Sequence, residues 1–104
     1  GRVGGLHEAV AVHDVAREAA VPVWCGGMLE SGIGRAHNVA LATLAGFTLP
    51  GDLSASQRYW DRDLVDPPWM LHDGHLQAPE GPGIGVEVDE EYLERVTVRR
   101  TVLP

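Results

Sequence analysis

The chain is 104 residues long with 44% hydrophobic residues, one ordinary domain at most with enough apolar content for a core. Its formal net charge of −7 argues against nucleic acid and anionic membrane surfaces as partners, because neutralising phosphate takes clustered Lys and Arg. All eight cations are Arg, which leaves no neutral-pH lysine base, and the single cysteine, Cys25, permits neither an internal disulfide nor a thiolate metal cage.

After "GRVGG", the stretch "LHEAVAVHDVAREAA" sets Leu6, Ala9, Val10, His13, Ala16 and Ala20 at helical spacing, predicting a helix over about 5–19. "VPVWC" (21–25) is a short apolar run without polar alternation, as in a parallel strand buried on both faces. Ser31 is placed to cap a second helix over 32–45, with Ile33, Ala36, Ala40, Leu41 and Leu44 as its apolar stripe and Gly46 as its stop. A second short strand follows at 47–50 and ends in Gly51-Asp52. This alternation is the rhythm of an α/β fold, either a (β/α) barrel or a doubly wound sheet, and two strands cannot close a barrel. From about residue 57 the texture turns aromatic, acidic and proline-rich, like an extension that packs on something else. Within it Asp73-Gly74 predicts a two-residue hairpin turn, Asp89 caps a short helix in "DEEYLER", and "VTVRR" (96–100) reads as a final strand. No apolar stretch approaches the roughly 20 residues of a membrane span, and no basic segment precedes a hydrophobic one, so a cytoplasmic location is expected. The chain opens on Gly and not Met, which predicts a longer parent protein.

Strand, glycines and helix follow one another as in a dinucleotide-binding turn, with Asp52 near the place of a ribose-binding acid. However, "MLES" separates Gly26-Gly27 from Gly32 and Gly34, too long for that turn, and His37 stands at the third glycine position. A P-loop is excluded by the absence of Gly-Lys-Ser/Thr. His7 and His13 share a helix face poorly, and a polar hairpin accounts for His72 and His75 better than a metal does. Cys25 fits a small buried residue better than a nucleophile, and Ser31, Ser54 and Ser56 lack the G-x-S-x-G pattern. Glu30 and Asp52 remain, each just past the C-terminal end of a predicted strand, which is the ligand end of β/α folds. Glu30 is equally well explained as a charge at a helix N-terminus paired with Arg35. The residues alone lead to the ligand-end segment of a β/α enzyme whose reaction class is open.

"GRVGG", "VPVWCGGMLESGIGRAHNVALA", "FTLPGDLSAS" and "GPGIGVEVDEE" occur in this order over nearly the whole chain. Together they closely resemble the C-terminal part of the o-succinylbenzoate synthase and N-acylamino acid racemase branch of the enolase superfamily. The resemblance implies the last part of a (β/α)7β barrel plus the C-terminal segment of a capping domain. Residues 1–56 would hold barrel helix six (5–19), strand seven (21–25), helix seven (32–45) and strand eight (47–50), and residues 57–104 would be the extension onto the capping domain. The implied chemistry starts with a lysine removing the proton next to a carboxylate, while a divalent metal, magnesium in most members, stabilises the enediolate. In the synthase, loss of hydroxide then gives o-succinylbenzoate for menaquinone synthesis; in the racemase, a second lysine returns the proton from the other face.

The family's lysines and metal-ligating acids are expected before Gly1, so the resemblance implies no catalytic residue and no metal ligand in this chain, which alone should be inactive. What it does carry over is a substrate wall for a small-molecule carboxylate. Gly27, Met28 and Leu29 would line the acyl or succinyl side, the missing Cβ at Gly27 letting that group approach the backbone. Glu30 would orient the substrate directly or from behind, and Tyr59 matches a position near the acyl pocket. At Asp52-Leu53-Ser54, Ser54 breaks the Asp-x-Asp of dipeptide epimerases, and muconate cycloisomerase is a more distant match. Homo-oligomerisation of the full-length protein stays open. The alternatives are a non-catalytic truncated remnant and a nucleotide-binding module.

Overall fold

The computed structural model describes residues 2–103. A first helix, α1 (Leu6–Glu18), buries Ala9 and His13 and half-buries Ala16, the expected stripe one turn apart. Leu6 and Val10, predicted on the same face, are exposed, as are Val12 and Val15. The chain leaves α1 through Ala20 in the left-handed region (φ 54) and enters the apolar run at 21–25. Two parallel bridges, Val23 with Phe47 and Gly26 with Asp52, join that run to the second predicted strand. Two residues separate the bridges on the first segment but four, 48–51, on the second. Pro50 has no N–H to give to a ladder, so pairing skips it and resumes at Asp52. Neither run is thus the continuous strand expected, nor is the first buried on both faces, since Val21 and Trp24 are exposed; the two meet only at these isolated bridges, and Asp52 lies in one of them and not beyond the pairing.

Between these segments runs α2 (Gly32–Ala42), three residues shorter than expected. Gly46 is not its stop. The helix closes through Thr43 in ordinary helical geometry, and Gly46 lies against His13, whose Nε2 accepts the Gly46 N–H at 3.1 Å. His13 also stacks flat on Phe47 at 5.6 Å, and its Nδ1 lies 2.9 Å from Asp14 Oδ1. Because Nε2 accepts, Nδ1 carries the proton, and both ring nitrogens are spent pinning α1 to the second parallel segment. The cap of α2 also differs from expectation: Ser31 sits at the cap position without a side-chain bond, and the first helical N–H, that of Gly32, donates to Asp63 Oδ1 at 2.7 Å.

The core joins Ala36 and Val39 of α2 to Val65 and Trp69, with Ile33, Leu53, Leu76, Ala78, Ile84 and Val86 around them. A 3-10 turn (Ser56–Arg58) leads into β1 (Val65–Asp66), which pairs antiparallel with β4 (Glu87–Val88). Strands β2 (Leu71–His72) and β3 (His75–Leu76) form the predicted hairpin, with Asp73 and Gly74 both at positive φ as a type I′ turn requires. Helix α3 (Glu90–Val96) is capped as expected, Asp89 accepting the Tyr92 N–H at 2.9 Å. The expected final strand at 96–100 is absent: residues 97–100 bond only back to α3, through Thr97 and Arg100, no strand among the described residues lies beside them, and Val98 is fully exposed. Residues of strand composition need a neighbour for their N–H and C=O groups before they form one. No helix among the described residues is long and apolar enough to cross a membrane.

Candidate functional site

Parallel pairing brings the C-terminal ends of both segments to the same side, and residues 26–30 turn over that end. The turn is fastened by backbone: the Asp52 N–H donates to Cys25 O at 2.9 Å, and the Gly27 N–H donates to Asp52 O at 2.6 Å. A Cβ at position 27 would fall on the Asp52 carbonyl oxygen, well inside the 3.0 Å that real Cβ atoms respect. This corrects the expectation from sequence. The room freed by Gly27 is filled by the Asp52 carbonyl and is not open to an incoming group. In front of the turn lies a cleft of about 540 Å³, walled by Val12, Trp24, Met28 and Leu41, with Gly27, Glu30, Asn38 and Asp52 on its polar side.

Glu30 is half-buried, and its carboxylate is held from within the turn and from α2. It accepts the Met28 N–H at 2.9 Å on both oxygens and Asn38 Nδ2 at 2.8 Å. The side-chain pair with Arg35 does not form. Arg35 donates instead to the Glu30 main-chain carbonyl at 3.2 Å, while its guanidinium lies 3.5 Å from the Asp63 carboxylate, both side chains 1% exposed. A guanidinium buried to that degree needs a buried carboxylate, and Asp63 is the one in reach. Cys25, behind the turn, is also buried; burial first, and the Glu30 charge second, push its thiol above its ordinary value of 9.0. It is therefore protonated at neutral pH and a poor nucleophile, as the sequence suggested.

Of the residues singled out from sequence, Gly27, Met28, Glu30 and Asp52 meet at this cleft. Leu29 is 66% exposed and does not line it. Tyr59 borders a second, open hollow of about 660 Å³ that shares Asp52, where its hydroxyl lies 3.3 Å from Ser54 Oγ. Sequence reasoning missed Asn38, Trp60, whose Nε1 donates to Glu30 O at 3.2 Å, and the Arg35–Asp63–Ser56 cluster. The stripe predicted from sequence did not point to Arg35: the buried face of α2 is Gly32, Arg35, Ala36 and Val39, while Ala40 of the predicted stripe is exposed and Leu44 only half-buried, and a charge on that buried face demands a partner. Among the described residues no three His, Cys, Asp or Glu side chains converge as a metal site would require.

The family model described as enolase C-terminal domain-like matches residues 1–92. An o-succinylbenzoate synthase from Geobacillus stearothermophilus is 56% identical over 97 residues, covering 93% of this chain and 26% of its own length. An N-succinylamino acid racemase from an Amycolatopsis species is 55% identical over 100 residues, 96% of this chain and 27% of its own. The crystal structure of an enolase superfamily member from Listeria innocua matches with a TM-score of 0.86 at 46% identity, over 90% of this chain and 25% of that one. The chain spans about a quarter of the length of these relatives. Sequence and fold agree on one assignment: the chain belongs to the enolase superfamily, in the branch that holds o-succinylbenzoate synthases and N-succinylamino acid racemases.

Proposed function

We propose that this chain is the C-terminal part of an o-succinylbenzoate synthase, an N-acylamino acid racemase or an enzyme with both activities, and that it builds one wall of the pocket for a small carboxylate substrate. One observation carries the proposal. The parallel bridges Val23–Phe47 and Gly26–Asp52 set the 27–30 turn and Asp52 around one largely apolar cleft, at the end of the strands where β/α enzymes bind ligands. In this reading Met28 gives the acyl side of the substrate its apolar contact, and Leu29, exposed beside it, is open to the same group from the solvent side. Glu30 is a fixed acid that orients the substrate through the turn. Gly27 holds the turn against Asp52, and Tyr59 extends the wall beyond Asp52.

A proton next to a carboxylate is a very weak acid, and removing it takes a well-placed base and fixed positive charge. The sequence has no lysine and the described residues present no trio of metal ligands, so this chain does not by itself fit the divalent ion, magnesium in our proposal, that such chemistry uses. No step is assigned to these residues through that ion. We place the lysines and metal ligands in sequence preceding Gly1, in a cytoplasmic full-length enzyme, and expect the isolated chain to be inactive. Its own residues bind and orient. The test is to assay the full-length protein, with magnesium, against the hydroxylated precursor of o-succinylbenzoate and against N-succinyl amino acids. Turnover of at least one supports the proposal, and turnover of neither, with both lysines present, removes it.

A further inference from the structure

We infer that Asp63, Arg35 and Trp60 form a latch by which the segment after residue 56 sets the position of the substrate-side turn at 28–30, making them positioning residues for substrate binding. The inference rests on the proposed reading of that turn as a substrate wall.

The Glu30 main-chain carbonyl is the point held. Two side chains donate to it from different parts of the chain: Arg35 Nη2 from α2 and Trp60 Nε1 from beyond the 3-10 turn, each at 3.2 Å. Arg35 is in turn fixed from behind. Its Nη1 lies 3.5 Å from Asp63 Oδ2 and donates to Ser56 Oγ at 3.4 Å. Asp63 also accepts the Gly32 and Leu64 N–H groups, both at 2.7 Å on Oδ1, and the Ser56 hydroxyl on Oδ2, while Ser56 Oγ accepts the Trp69 N–H at 3.0 Å. Trp69 Nε1 closes the cluster on Gly32 O at 2.9 Å. No buried side-chain nitrogen or oxygen among the described residues is left without a partner.

Scaffolding alone does not ask for this arrangement. An apolar contact holds a helix end with less desolvation than a buried ion pair, whose best-attested use is to fix one geometry over its neighbours. Such a pair sits directly behind Glu30, whose carboxylate folds the Met28 N–H back on itself and takes Asn38 Nδ2 at the cleft. A shift at the Glu30 carbonyl therefore moves both the Met28 side chain and the Glu30 carboxylate. Gly32 belongs to the same device, because a Cβ there would collide with the Val65 side chain and crowd Asp63 Oδ2 at 2.9 Å.

The test uses the full-length protein with Trp60→Phe, which removes one half-exposed donor and leaves the buried cluster intact, and Asp63→Asn, which removes the charge facing Arg35. Two readouts are taken: KM and kcat for N-succinyl and N-acetyl forms of one amino acid, and amide hydrogen exchange of peptides covering 26–31 and α1. Contacts that a substrate makes equally in ground and transition states appear in KM. The expected result is a rise of about threefold to tenfold in KM for the N-succinyl substrate, the scale of one hydrogen bond, with kcat within about twofold, a smaller change for N-acetyl, and faster exchange confined to 26–31. Equal losses for both substrates with faster exchange everywhere would show a merely structural cluster and overturn the inference. So would unchanged exchange at 26–31 in a folded Trp60→Phe protein, which decides the matter even if Asp63→Asn fails to fold. A wild-type protein that turns over neither substrate removes the functional reading, while the exchange measurement still decides the latch.

Discussion

Replacing Gly27 by Ala tests the backbone contact at the centre of the candidate site. The added Cβ would fall on the Asp52 carbonyl oxygen, with Asp52 C at 3.4 Å and Leu53 Cα at 3.5 Å closing off sideways escape. All of these are backbone atoms, so no side chain can swing aside, and the two segments must part by at least half an ångström. The 2.6 Å bond from the Gly27 N–H to that same oxygen lengthens with them. Overpacking of this kind costs about 1–3 kcal/mol, and the weakened bond adds about 0.5–1.5 kcal/mol, which gives a loss of about 1.5–4.5 kcal/mol. The assay is the urea unfolding midpoint of the full-length protein followed by tryptophan fluorescence. Gly81→Ala serves as control, since its Cβ would meet only Gly85 Cα at an ordinary 3.8 Å. If Gly27→Ala matched that control within about 0.5 kcal/mol, the close approach of Asp52 would be wrong, and Gly27 would again be free to admit a substrate group.

Three further outcomes follow from the same geometry. Ser31→Ala should change stability by less than about 0.5 kcal/mol, not the usual ~1 kcal/mol of a lost helix cap, because the Ser31 side chain makes no cap bond; denaturant melts of the two proteins check it. His13→Phe keeps the stack on Phe47 but strands the half-buried Gly46 N–H, and should cost about 1–3 kcal/mol in the same assay. The Cys25 thiol, raised above 9.0 by burial, should react with iodoacetamide at pH 8 about tenfold or more slowly in the folded protein than in urea. The sign for stability follows: the unfolded thiol loses its proton first, so the contribution of Cys25 is complete below about pH 9 and falls as pH rises beyond it.

Where one residue's neighbours lie within a turn or two, the pattern along the chain was enough to place it. The stripe at Ala9, His13 and Ala16, the Asp73-Gly74 turn and the Asp89 cap each depend on local geometry, and each forms as expected. That the two apolar runs flanking α2 lie side by side and parallel was legible, but not that they would meet only at two isolated bridges on either side of Pro50, because register depends on both partners. "VTVRR" has strand composition and no strand to join. At the site, Glu30 and Asp52 were recognisable as strand-end acids, whereas the partner of Arg35 lies in a segment that spacing could not connect to it; Gly32 and Asp63, bonded at 2.7 Å, are 31 residues apart. The glycines mislead in one particular way. In "CGGMLESGIG" they read as room for a ligand, yet Gly27 and Gly32 are small because Asp52 and Val65 of this same chain occupy the space.

If, as proposed, this chain walls a pocket in which a proton next to a carboxylate is removed, that proton must exchange with solvent. Incubation of the full-length protein in D2O with magnesium and an N-succinyl amino acid, followed by proton NMR of the α-carbon position, reads this exchange. Deuterium should replace the α-proton, and the exchange should stop when the lysine proposed upstream of Gly1 is changed to alanine. An α-proton that persists, in a protein that also leaves the synthase precursor untouched, would contradict the proposal.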